Sequence, residues 1–211
     1  MATPSNSSAK KTSAKKTGAK KMPITGDPEA DELLTTDPLA LLVGMLLDQQ
    51  VPMEWAFKGP ATLKERLGGT LDAGAIAAMS EDDVVALFVA KPALHRYPAA
   101  MAKRTHALCQ FLVDHYDGDA GAVWRDVKTG DELFRRVREL PGYGEEKTKI
   151  FVAILAKRLG KKPTGWELVA APFSDDTPRS VADIDSAETL AKVRDFKKMM
   201  KAQGKGKADP A

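Results

Sequence analysis

From Asp37 onward the apolar residues recur three and four positions apart, and capping residues punctuate them at short intervals. That pattern permits helices and little else. Thr36-Asp37-Pro38 reads as an N-cap followed by proline at the first helical position, and Leu39, Leu42, Val43, Leu46 and Leu47 then form one stripe. Pro52 and Pro60 interrupt the next segment and leave a short helix from Pro60 to Leu67 that stops at Gly68-Gly69. Ser80-Glu81-Asp82-Asp83 opens another helix with a cap and acids in its first turn. Residues 98–116 carry Met101, Thr105, Leu108, Leu112 and Tyr116 along one face. Asp131 caps a helix holding Leu133, Phe134, Val137 and Leu140, and residues 145–159 turn Ile150, Phe151, Ile154 and Leu155 inward before Gly160. No run alternates apolar and polar residues as a half-buried strand does. The expected fold class is all-α, with about eight short helices.

The charge is unevenly placed. The chain has 211 residues and a net charge of +3, yet residues 1–22 hold six lysines and no acid, so the rest is net acidic. Those residues repeat Ala-Lys-Lys-Thr with almost no large apolar side chain and are expected to form a disordered basic tail. Lysines of this kind attract nucleic-acid phosphates without regard to sequence; a solubility tail is the bland alternative. The longest apolar run, Leu39 to Leu47, is half the roughly 18 residues of a membrane span and contains Gly44. The first residues lack the apolar core of a secretory signal. One cysteine, Cys109, excludes an internal disulfide and any site built on several thiolates. With three scattered histidines besides, no metal site and no cofactor are expected. A cytoplasmic, nucleoid-associated monomer, with no membrane partner, is the natural expectation.

Leu140-Pro141-Gly142-Tyr143-Gly144 carries the most information. Two glycines in so short a turn allow positive φ and close backbone approach. The helix that comes after presents free N–H groups and its positive dipole end. Together they form a cradle suited to a phosphate, to which Lys147 and Lys149 add charge, while Tyr143 fills the apolar slot of the hairpin. By spacing alone, a helix–helix turn whose glycines only permit close packing is an equal alternative.

Leu-Pro-Gly-Tyr-Gly-Glu-Glu-Lys-Thr, at 140–148, resembles the helix-hairpin-helix of the HhH-GPD superfamily of base-excision DNA glycosylases, which includes endonuclease III and the adenine and alkyladenine glycosylases. Upstream, Leu41-Leu42-Val43-Gly44-Met45-Leu46-Leu47-Asp48-Gln49-Gln50-Val51 resembles the first core helix of those enzymes, which ends in a glutamine-containing turn. The stretch Arg66-Leu67-Gly68-Gly69 and Met79 to Asp83 is also similar, and the likeness spans residues 37–168. It implies a compact HhH-GPD-like helical domain over 37–168, with the hairpin at 131–159. Beyond it would come an irregular segment (169–184), a basic amphipathic helix (185–202) and a frayed end (203–211).

The resemblance further implies double-stranded, damaged DNA as partner and base release from an extruded nucleotide as activity. Gly142, Tyr143, Gly144, Lys147 and Lys149 would hold the backbone. Gln49 and Gln50 would stand where the family fills the vacated hole; a solvated helix end is their plain alternative. Trp55 and Phe57 would stack on the extruded base, or simply fill the core. The family's aspartate after the hairpin helix has no counterpart here. Counted from Gly160 its slot lands on Glu167, and counted from the hairpin on Thr164 or Gly165, with Asp175 and Asp176 as fallbacks on the next loop. Glu146 stands where strand-cutting members carry a lysine, so no efficient AP-lyase activity is expected. The four-cysteine iron–sulfur module is absent. Three functions remain: a monofunctional DNA N-glycosylase, a helix-hairpin-helix DNA-binding protein that has lost the chemistry, and an all-α interaction protein.

Overall fold

The computed structural model describes residues 22–210. The expected basic tail lies outside them except for Met22, whose side chain is fully buried. Among the described residues the chain forms ten α-helices: α1 (Pro28–Thr36), α2 (Pro38–Leu47), α3 (Met53–Arg66), α4 (Ala73–Ala78), α5 (Glu81–Val89), α6 (Pro98–Tyr116), α7 (Gly130–Arg138), α8 (Glu145–Lys157), α9 (Trp166–Ala170) and α10 (Ala187–Ala202). Short 3-10 turns sit at 120–123 and 181–183, and no strand is present among these residues. None of these helices is long and apolar enough to cross a membrane.

α2 is the hub. Nine of its ten residues are buried, so it is apolar on every side, as a helix enclosed by others must be. Asp37 starts it by accepting from the backbone N–H groups of Leu39 and Ala40, with Pro38 at the first position. α1 and α3 pack on one side of it, and α6 and the 120–123 turn on another. α4 and α5 lie against α6, while α7, α8 and α9 form a second layer.

Four expectations need correction. Pro60 does not break the chain: it lies inside α3, which runs unbroken from Met53 to Arg66. The residue before it is Gly59, so the usual clash between a proline ring and the preceding Cβ does not arise. The helical body begins before residue 37, because α1 adds Ala30 and Leu34 to the core. The cap of α7 is Thr129, whose hydroxyl accepts from Glu132 N–H; Asp131 lies in the first turn. Residues 203–210 are not frayed, for Arg179 Nη1 donates to the carbonyls of Lys207 and Asp209. Residues 169–184 are irregular, as expected, but they are packed, with Phe173, Val181 and Ala182 buried.

Candidate nucleic-acid interface

The hairpin turn between α7 and α8 is pinned to the C-terminal half of α2. Tyr143 is buried, meets Phe151 edge-on at 5.7 Å, and donates its hydroxyl to Leu42 O at 2.8 Å. Full burial pushes its phenol well above the ordinary tyrosine range. Tyr143 is therefore the anchor of the turn, with no side-chain surface left for a phosphate. Arg138 Nη1 donates to Tyr143 O at 2.9 Å and closes the turn from the α7 side.

The two glycines differ. Gly142 has φ +85°, and a Cβ there would lie 2.3 Å from Leu46 Cδ1. Positive φ and close approach are both real at this residue. Gly144 has φ −74° and ψ 171°, caps α8 without a side-chain hydrogen bond, and has nothing within 4 Å of a virtual Cβ. The expected positive φ is thus absent at Gly144, which is simply open. Both glycines are exposed, and the first N–H groups of the thirteen-residue α8 come directly after.

The lysines expected beside this cradle are engaged elsewhere. Lys147 Nζ turns inward and donates to the carbonyls of Met45 and Leu46, the last turn of α2. Burial lowers its ammonium to about 8, with Asp48 pulling the other way. Lys149 pairs with Glu145 at 2.8 Å. Lysine at 147 thus acts as a C-terminal cap for a helix about 100 residues away, a role that only the tertiary packing discloses.

Leu46 O also accepts from Gln49 Nε2 at 2.7 Å. One carbonyl therefore joins the hairpin helix to the glutamine bend. Gln49 Oε1 accepts from Arg104 Nη1 at 2.7 Å, and Gln49 O lies 2.9 Å from His95 Nε2. Gln49 is committed on both ends of its amide and cannot be a wedge. Gln50 is exposed and has φ +57°, an uncommon conformation for a residue with a long side chain. Of the two glutamines, only Gln50 projects freely beside the hairpin.

His95 was missed in the sequence, where it is one of three scattered histidines. It is almost wholly buried. Its Nδ1 accepts from Tyr97 N–H at 3.0 Å, which places the proton on Nε2 as a donor to Gln49 O. Burial lowers its pKa and holds it neutral. Trp55 and Phe57 separate cleanly: Phe57 is core, whereas Trp55 is 41% exposed on the same side as His95.

Glu167 lies apart from all of this. It is exposed on α9, and the chain just before it bridges Thr164 to Thr129, at the start of α7. The turn stands at the other end of α7, roughly 13 Å away for nine helical residues. Asp175 is held by the Arg179 guanidinium at 3.1 Å, and Asp176 lines a groove of about 970 Å³ together with Asp37, Lys157 and Arg158. That groove borders the N-terminal end of α2, away from the hairpin turn. None of the three expected carboxylates faces the cradle. The carboxylates whose charges both Lys147 and Lys197 feel are Asp48, the C-cap of α2, and Glu146, in the first turn of α8. Among the described residues, no three histidine, cysteine or acidic side chains converge as metal ligands. Cys109 is fully buried, and burial pushes its thiol up to about 12, which makes it inert. No family model, curated protein or solved structure matches this chain.

Proposed function

We propose that this protein binds duplex DNA as a base-excision repair protein. The exposed Gly142 and Gly144 and the start of α8 hold a backbone phosphate. Gln50 enters the duplex beside it, and the N-glycosidic bond of the extruded base is hydrolysed. The supporting observation is the shared Leu46 carbonyl, to which Lys147 and Gln49 both donate. It ties the bend that carries Gln50 to α8, and a coupling of backbone grip to base extrusion requires such a tie. In this reading Asp48, two residues from Gln50, supplies the carboxylate that the departing base needs.

A second reading has its own support. Glu167, Asp175 and Asp176 all lie away from the cradle, so a protein that binds and bends DNA without releasing a base is the alternative.

Gly144→Asp tests the grip. The backbone at 144 is extended and unobstructed, so aspartate caps α8 at least as well as glycine, while its own carboxylate fills the cradle. The variant should fold normally and lose roughly tenfold in duplex affinity at near-physiological salt, read by fluorescence anisotropy. Undiminished affinity would remove the cradle from the account. Base release from a panel of lesion duplexes, abolished in Asp48→Asn, separates the glycosylase from the binding protein, which releases none.

A further inference from the structure

Beside the Gln50 bend stands a row of three rings. Trp55 in α3 and Tyr97, the residue before α6, flank His95, with ring centroids 6.4 Å and 6.1 Å from that of the histidine. His95 is buried with both nitrogens engaged, so it acts as a spacer that fixes the other two. Trp55 and Tyr97 are 41% and 44% exposed, whereas Trp124 and Trp166 are 8% and 6% exposed. Two large rings left open side by side mark a contact surface.

The charges around the row match. The Arg96 guanidinium lies over the Tyr97 ring, 5.3 Å from its centroid. Arg104, in α6, reaches the same bend through Gln49. Among the described residues neither arginine has a carboxylate within 4 Å, although neighbouring Lys103 is paired with Glu81 at 2.6 Å. Exposed rings interleaved with cations that have no carboxylate partner are the chemistry of an unpaired nucleic-acid strand: bases stack on the rings and phosphates meet the arginines. An acidic protein surface would use the cations but leave the rings idle.

We infer that Trp55, Tyr97, Arg96 and Arg104 form a platform for unpaired DNA strand, recognised by base stacking whether or not the base is damaged. The inference deepens the proposed function, in that it supplies a seat for the strand that Gln50 would open. It differs from the hairpin grip in needing bases as well as phosphates.

The full-length protein, titrated with a short oligothymidylate and with an abasic oligonucleotide of the same length, separates the two. Tryptophan emission reports on Trp55, since the other two tryptophans are buried. Oligothymidylate should quench it saturably, and the abasic strand should not, even though lysines 10 to 21 attract both. Tyr97→Ala should weaken the thymidylate complex roughly tenfold with an unchanged melting temperature, because the ring is exposed. Arg96→Gln should weaken it and reduce its salt dependence. Gly144→Asp should leave it unaltered, so that a failed hairpin and a failed platform give different results. Equal responses to the two oligonucleotides, undiminished affinity in Tyr97→Ala, or loss of quenching in Gly144→Asp would each overturn the platform.

Discussion

The two ends of α2 handle charge in opposite ways. At its N-terminal end, around the groove of about 970 Å³, the buried bases are paired with acids: Lys157 meets Asp183 at 2.6 Å, Arg158 meets Asp185 at 3.1 Å, and Asp37 caps the helix. At its C-terminal end the polar groups bond to backbone. Lys147 and Gln49 serve the last carbonyls, Tyr143 serves Leu42 O, and Gln50 and the two glycines are left open. Buried ion pairs of this kind hold the fold together. An end tied down through carbonyls keeps its geometry while leaving amides, one glutamine and two arginines available. The proposed interface lies at the second end, and the groove of about 970 Å³ at the first.

Removing one member of the paired end should cost most. Asp183→Ala leaves Lys157, whose side chain is only 13% exposed, with the Asp175 carbonyl alone, frees the Arg179 and Ser180 N–H groups, and should lower unfolding free energy by about 3–5 kcal/mol in urea denaturation. A loss below about 1 kcal/mol would mean that the pair is solvated and that the two ends are alike.

The two turn glycines should then part company. Gly142→Ala must accommodate φ +85° and a methyl carbon 2.3 Å from a buried leucine, for about 1–3 kcal/mol. Gly144→Ala meets no such obstacle and should cost only the difference between glycine and alanine at an N-cap, about 0.5–1 kcal/mol. Equal effects, measured the same way, would mean that the turn is not pressed against α2.

A pH dependence sharpens the contrast at the C-terminal end. The folded-state pKa of Lys147 is near 8, below its ordinary 10.5, so between those values the unfolded chain binds more protons. Its contribution to stability therefore rises as pH climbs through that window and is weakest below it. Subtracting the profile of Lys147→Met, which lacks the titrating amine, should isolate that rise. A flat difference would place the ammonium in solvent and not at the end of α2.

Much of the fold was legible because helices are local. The Asp37-Pro38 start, the Ser80 cap and the 98–116 stripe all stand in the structure as the spacing implies. The errors arose where one residue depends on another far along the chain. Pro60 reads as a breaker until Gly59 is seen to relieve it inside α3. Glu167 falls in the expected slot by counting, but the contact between Thr164 and Thr129 carries it to the wrong end of the hairpin.

The sequence alone determined the helical class, the position of the hairpin turn and the inertness of a lone cysteine among apolar neighbours. Each stems from periodicity, capping or composition within a few residues. Tertiary structure decided which side chains face outward. Trp55 is open and Phe57 closed, Gln50 free and Gln49 bound, Gly144 bare and Lys147 withdrawn. Residues so alike in type and so close in sequence are told apart only by what packs against them, and that partner is set by helices as much as 100 residues away.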